Sequence, residues 1–257
     1  MEGSWRLKGG LGALVEALAD RLPDSRKRLN AAVTQLARTK SGVTATVSIG
    51  ETVNARQTVL SMPPRIAANI TFDPPLAEAA LTSLQSIPTW MAGQAKAIAV
   101  YDTPFWRENG LSGDAQSRCG PMVEIHDASP AQGGPYALFG FIGVHPPNRT
   151  DAKVLQHHLT EQFVRLFGPK AAAHKQLYVK DWAYDPYTAT KADHAPLFAH
   201  PRYGMPSNVA HLWNNQLMLS GSEVAGEFGG YLEGALEAAE NTLKSLKAKT
   251  GDRDADN

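Results

Sequence analysis

Lys96 is the one charge in an otherwise apolar run, Ala95-Lys96-Ala97-Ile98-Ala99-Val100. An ammonium among apolar neighbours is costly unless it finds a partner or gives up its proton. Lys96 is therefore either a group kept for chemistry or an edge-strand lysine whose head reaches solvent. A second pattern lies near the C-terminus: the apolar stretch Gln216-Leu-Met-Leu-Ser220, then Gly221-Ser222-Glu223, then Gly229-Gly230-Tyr231-Leu232. A strand that feeds a glycine turn and then a helix start leaves N–H groups free to dock an anion or a polarised oxygen. Gly229 and Gly230 clear side chains from a place where a flat ligand would approach the backbone. The same pattern also describes a strand–loop–helix that closes a sheet, with glycines serving turns only, and the residues alone leave both readings open. Trp182, at the end of an apolar stretch, is likewise a core ring or a site ring. His157-His158 are adjacent and lack the four-residue spacing of a zinc pair, which makes them surface residues. With Cys119 as the single cysteine, an internal disulfide framework and a multi-cysteine zinc site are excluded, and no metal site is expected.

These residues need elements to hold them. From Tyr231 onward, Leu232, Ala235, Leu236, Ala239, Leu243 and Leu246 recur at three- and four-residue steps, with Glu237, Glu240, Lys244 and Lys247 on the other face. That is an amphipathic helix. Residues 216–220 read as a strand bounded by the Asn214-Asn215 turn and by Gly221. Residues 94–101 form the strand that carries Lys96, and residues 176–183 the strand that delivers Trp182. Two more strands are expected at 122–126 and 136–144, the second nearly continuous in apolar residues and so central. Residues 151–167 form an amphipathic helix that stops at Gly168-Pro169. Upstream come a helix from about 10 to 22 and short strands at 32–36, 43–49 and 58–62, with Ser41-Gly42 as a hairpin turn. The prolines at 63, 64, 74 and 75 set rigid turns and start a helix of about ten residues. Residues 110–120 and 189–206 read as turn and loop, and the tail after 250 frays. Gly10-x-Gly12 opens like a dinucleotide fingerprint, but Val15 stands at the third glycine position, so that reading is rejected.

The 257 residues are 43% hydrophobic, enough for one large or two modest domains. Lys+Arg and Asp+Glu balance at 25 each, which argues against nucleic acid or an anionic membrane as a partner. Met1-Glu-Gly-Ser-Trp5 lacks a signal-peptide pattern and no apolar run approaches spanning length. The cytoplasm is the expected compartment, and the sequons at Asn69 and Asn148 are read as chance.

Gly221-Ser222-Glu223 followed by Phe228-Gly-Gly-Tyr231-Leu-Glu-Gly-Ala235 resembles the C-terminal flavin motif of the flavin-containing amine oxidases, the monoamine oxidase family. Pro104-Phe105-Trp106, Met62-Pro63-Pro64 and Ile70-Thr-Phe72-Asp-Pro74-Pro75-Leu76 resemble that family as well. The resemblance runs from residue 7 to about 246 and implies an α+β fold of the FAD/NAD(P)-binding amine oxidase kind, incomplete. Residues 1–62 and 206–250 would be pieces of the FAD-binding domain and 63–205 the substrate domain. It implies FAD, with Val33, Trp182, Gly221, Ser222, Glu223, Gly230, Tyr231 and Leu232 as cofactor contacts. Lys96 matches the lysine that holds a water near the flavin, and is the expected catalytic residue. Tyr231 and Trp182 would shape the substrate face. The family's second aromatic wall falls near Ala192, which cannot stack, and no cysteine stands there for covalent attachment, so FAD is expected to bind noncovalently. The implied reaction oxidises an amine to an imine with O2 reduced to H2O2.

The nucleotide-binding βαβ unit that the family places first does not precede Trp5. The resemblance therefore implies a truncated product or a second chain that supplies that half, with a homo-oligomer as another possibility. Two other readings stand beside it. One is a noncatalytic remnant or partner-binding subunit. The other is a related flavoenzyme, such as an L-amino-acid oxidase with Arg107 or Arg202 on the substrate carboxylate.

Overall fold

The computed structural model describes residues 7–130 and 132–254. In chain order these form α1 (Gly10–Ala19), β1 (Val33–Arg38), β2 (Val43–Val47), β3 (Thr52–Ala55), β4 (Thr58–Leu60), α2 (Pro64–Ala67), β5 (Thr71–Asp73) and α3 (Glu78–Ser86). There follow β6 (Ala95–Tyr101), α4 (Phe105–Glu108), β7 (Ala115–Gln116), β8 (Met122–Asp127), β9 (Tyr136–Ile142), α5 (Ala152–Phe167) and β10 (Gln176–Asp181). The chain closes with β11 (Leu217–Leu219) and α6 (Leu232–Asp254), joined to the rest by 3-10 turns.

Two cores result. The first gathers residues from the two ends of the chain: Leu36, Phe72, Leu84, Trp213, Leu217 and Ala238 among others. Its strands lie in the order β3-β2-β1-β5, antiparallel except for the β1–β5 pair. Beside them β4 and β11 pair in parallel, with Leu217 opposite Thr58 and Leu219 opposite Leu60. The turn into β11 is left-handed at three successive residues, Trp213, Asn214 and Asn215. Asparagine accepts that conformation readily. For Trp213 it is offset by burial of the ring, edge-on to Phe72 at 5.9 Å. Residues 64–84 belong to this core through Ala67, Phe72, Ala80 and Leu84.

The second core lies under one face of an antiparallel sheet with the order β10-β6-β9-β8-β7. Strand β6 alternates, with Ala95, Ala97, Ala99 and Tyr101 buried on the core side. These small residues let α5 pack close, and Leu159 and Phe163 are fully buried there. Each such side chain contributes about 1.5–3 kcal/mol by leaving water. The Asp151 carboxylate caps α5, accepting from Lys153 N at 3.0 Å and Val154 N at 3.1 Å.

Strand β9 is central, as its apolar run implies. Strand β6 is hydrogen-bonded on both sides, so the edge-strand alternative for Lys96 is overturned. Helix α1 ends at Ala19 rather than near 22 and buries none of its residues. Strand β3, all of whose residues are exposed, and the short α2 and β7 lie in segments where no element was expected. Helix α6 runs to Asp254, past the expected start of the tail. Among the described residues no helix is long and apolar enough to cross a membrane, and no group of three or more His, Cys, Asp or Glu could hold a metal ion.

Candidate active site

The face of the five-stranded sheet opposite α5 carries Lys96. Alternation along β6 sends Lys96, Ile98 and Val100 to that side, and the register places Phe141 and Phe139 on β9 opposite Lys96 and Ile98. The Lys96 ammonium lies 4.9 Å from the Phe141 ring centre and 5.8 Å from that of Phe139. Aromatic faces attract a cation, and among the described residues no carboxylate pairs with it. The charge is thus held in place but kept available.

Lys96 and Trp182 meet in one cavity of about 230 Å³, lined also by Trp90, Met91, Ala92 and Thr188. Trp182 follows directly on β10, whose Asp181 carboxylate accepts from Ala183 N and is gripped by the buried Arg149. Trp90 extends the site toward the C-terminal motif. Its ring lies 5.2 Å from that of His200, and His200 stacks flat on Tyr231 at 4.9 Å with 6° between the planes. Tyr203 stands edge-on to His200 at 5.5 Å. Burial pushes the Tyr203 hydroxyl up to about 12. It remains a neutral group that donates to Pro88 O and accepts from Trp90 N, both at 2.9 Å. The ring that faces Tyr231 is therefore His200, and the two are in direct contact.

The glycine-rich turn is organised by its own neighbours. Gly230 N donates to Ser222 O, and Ser222 Oγ donates to the buried Glu223 carboxylate at 3.1 Å. A methyl group at Gly230 would stand 2.7 Å from Tyr203 Cε2 and 2.9 Å from His200 Nε2, and one at Gly229 would collide with Tyr203. These two glycines thus make room for Tyr203 and His200. A methyl group at Gly221 would stand 3.1 Å from Glu223 Oε2. The Glu237 carboxylate reaches back to accept from Gly226, Glu227 and Phe228 N–H groups at 2.9–3.3 Å. The hydrogen bond from Phe228 N, then that from Gly226 N, holds its carboxyl below the usual range.

The residues fit a flavin in their chemistry. Trp182 and Tyr231 keep faces in solvent, at 36% and 59% exposure. Ala235 N makes the first bond into α6, to Tyr231 O, leaving Leu232, Glu233 and Gly234 N–H groups without a backbone partner among the described residues. Such a helix start suits an anionic linker. Among the expected cofactor residues Gly221, Ser222, Glu223, Gly230, Tyr231 and Leu232 cluster here, and Trp182 joins them through Trp90 and His200. Val33 lies in β1, paired with Val47 and packed on the first core. No described contact joins it to the Lys96 cavity.

A model of the flavin containing amine oxidoreductase family matches residues 1–242. The chain belongs to that family. The putative flavin-containing monoamine oxidase AofH of Mycobacterium tuberculosis is 30% identical over 248 residues, which is 95% of this chain and 52% of that protein. A probable flavin-containing monoamine oxidase A of Dictyostelium discoideum is 26% identical over 253 residues, again 95% of this chain and 53% of the other. Among solved structures, wild-type putrescine oxidase bound to putrescine superposes with a TM-score of 0.73 at 25% identity, over 93% of this chain and 53% of that one. The chain spans about half the length of the relatives it matches. The family fold is that of mixed helix and sheet expected from the motifs, and the family implies a flavin cofactor.

Sequence reasoning overlooked Trp90 and Thr188, and left His200 and Tyr203 unordered in a loop. The available signal for Trp90 was a tryptophan between Pro88 and Gly93, just ahead of the Lys96 strand. Of the arginines weighed for a carboxylate, Arg107 is engaged by Asp127 at 2.6 Å, and Arg202 lies at a separate surface depression with Ser86 and Glu223.

Proposed function

We propose that this chain is the C-terminal part of an FAD-dependent amine oxidase, which turns an amine into an imine with O2 reduced to H2O2. The observation that carries the reading is the Lys96 ammonium, without a carboxylate partner among the described residues, facing the cavity it shares with Trp182 and Trp90. A bound flavin would supply the redox chemistry, with the amine α-carbon as the source of the hydride equivalent and O2 as the final electron acceptor. Lys96 holds a water at the reacting face through its N–H donors. Trp182 and Trp90 wall the cavity beside the Lys96 ammonium. Tyr231, braced by His200, presents a ring to the substrate, and Gly221, Ser222, Glu223, Gly230 and Leu232 hold the cofactor through the turn and the start of α6.

Noncovalent binding is supported by the position of Cys119. It is exposed in the loop before β8, and its carbonyl accepts from Gln162 and Arg165 on α5, on the core side of the sheet. A further polypeptide segment, in the same protein or in another chain, is supported by the exposed apolar residues of α1 (Leu11, Leu14, Val15, Leu18) and of α6 (Leu232, Leu236, Leu243). Small amines and O2 are the proposed ligands, and the cytoplasm the proposed compartment.

The test is Lys96→Met in protein that retains FAD, with co-expression of a nucleotide-binding segment if the chain alone shows no flavin band. Loss of a group that positions water and moves protons costs about 10²-fold or more in rate. Flavin reduction by amine or reoxidation by O2 is expected to slow by that order. Both rates unchanged would remove Lys96 from the mechanism, and no peroxide from any amine would sink the oxidase reading.

A further inference from the structure

Lys180 stands directly opposite Lys96 in the β10–β6 register, so two ammonium groups rise from neighbouring strands on one face. Like charges in that position destabilise a sheet, and here the two heads are sent apart. Lys96 goes to the phenylalanine rings of β9. Lys180 lies 4.4 Å over the Trp182 ring and donates to Asp185 Oδ2 at 2.6 Å. The other oxygen of Asp185 accepts from Tyr187 N and from Thr188 Oγ1, each at 3.1 Å. Trp182 and Thr188 are both walls of the Lys96 cavity. One carboxylate therefore holds Thr188 directly and Trp182 through an ammonium. The hydrogen bond from Lys180 keeps the Asp185 carboxyl ionised below the usual range, against a smaller opposing effect of burial.

We propose that Lys180 and Asp185 are positioning residues: together they fix the plane of Trp182 against the Lys96 cavity and keep the second ammonium away from Lys96. The placement of Trp182 is independent of any reaction, and only the kinetic consequence rests on the amine oxidase reading above. The geometry separates charge from shape. Lys180→Met keeps the aliphatic stem and loses the cation, whereas Lys180→Arg keeps a cation that stacks on indole and still reaches a carboxylate.

The experiment uses the full chain with Lys180→Met, Lys180→Arg and Asp185→Asn, each also combined with Trp182→Phe. Subtracting the Trp182→Phe emission isolates the fluorescence of Trp182, whose accessibility is read by acrylamide quenching. Lys180→Met and Asp185→Asn are expected to raise the quenching constant of that component about twofold, and Lys180→Arg to leave it near the parent value. In the Trp182→Phe background neither substitution should alter the remaining emission. In the flavin-loaded protein, Lys180→Met is expected to lower kcat about two- to fivefold, the size of an exposed cation–π contact, with KM little changed and Lys180→Arg restoring the rate. A Trp182 component that quenches identically in the parent, Lys180→Met and Asp185→Asn proteins overturns the brace. A changed Trp182 signature with kcat unaltered overturns its role in positioning for the reaction. A changed signature in a protein that oxidises no amine leaves the brace standing and removes the oxidase reading instead.

Discussion

Replacing Arg149 by methionine should be the most damaging single substitution near the site that leaves the Lys96 cavity lining chemically untouched. The Arg149 side chain is 2% exposed and Asp181, its partner, 20%. The guanidinium donates to both Asp181 oxygens at 2.8 Å, to Val144 O at 2.5 Å and to Gly93 O at 2.7 Å. Methionine fills most of the volume but leaves one carboxylate and two carbonyl groups without these donors. Removing one member of a buried pair costs about 3–5 kcal/mol. Water reaches Asp181 through its exposed fifth, which places the expected loss at the lower end, ~3 kcal/mol. For a chain of this size that corresponds to a fall in Tm of roughly 6–12 °C. Urea unfolding gives the free energy and calorimetry the temperature. The companion variant Arg149→Met/Asp181→Asn removes the stranded charge and should recover about half of the loss, because a neutral amide is far cheaper to leave half-buried. A loss under about 1 kcal/mol, or a double variant no better than the single one, would refute the claim that charge burial dominates at this point.

Two further outcomes follow from the carboxylates. Burial opposes the charge on Asp127, but hydrogen bonds from Arg107, Ser129 and Trp106 outweigh it and hold its carboxyl at about 2. A depressed folded value means that the stabilisation is complete above the ordinary carboxylate range and is lost as pH falls from about 4 through about 2. The urea midpoint of the parent should therefore drop over that window, and the gap between parent and Asp127→Asn should close with it. A gap independent of pH would contradict the linkage. Glu237→Gln should loosen the loop before Gly229 without unfolding α6. The check is hydrogen exchange, with faster exchange expected at the amides of Gly226, Glu227 and Phe228 and no change along β6.

The elements that sequence reading located best are those whose burial is one-sided and regular. Strand β9, apolar almost throughout, had to be central, and α5 carried its own cap in Asp151 and its own stop in Gly168. Strand β3 was illegible because Thr52, Val53, Asn54 and Ala55 are all exposed, so no apolar alternation marks it. It exists only as a partner for β2. Lys96 was legible as a cost, a charge in an apolar strand, but not as a placement. Only the pairing of β6 on both sides decides between an edge and an interior position. Glu237 shows the limit from the other direction. Helical periodicity assigns it to the solvent face, correctly, yet its carboxylate turns back onto three backbone N–H groups of the preceding loop. His200 and Tyr203 could be seen in their loop but not ordered, since contacts made by an irregular loop leave no period to read. The glycines at 229 and 230 were legible as positions that exclude a side chain, but what fills the space was not.

The parallel pairing of β4 with β11 imposes a schedule on synthesis. Gln57, just before β4, donates to Asn215 O across 158 positions of chain, and the first core closes only when Trp213, Leu217 and Leu219 arrive. At roughly 5–20 residues per second, the earlier strands leave the ribosome on the order of 10–30 s before those partners do. During that interval Leu36, Leu60 and Phe72 have no apolar cover from the C-terminal residues, while β6 to β10 and α5 are contiguous and can fold as soon as they emerge. A ribosome-bound chain halted after β10 should thus hold a protease-resistant five-stranded sheet attached to a protease-sensitive N-terminal arm. That arm is the part of the nascent chain that a chaperone would need to shelter.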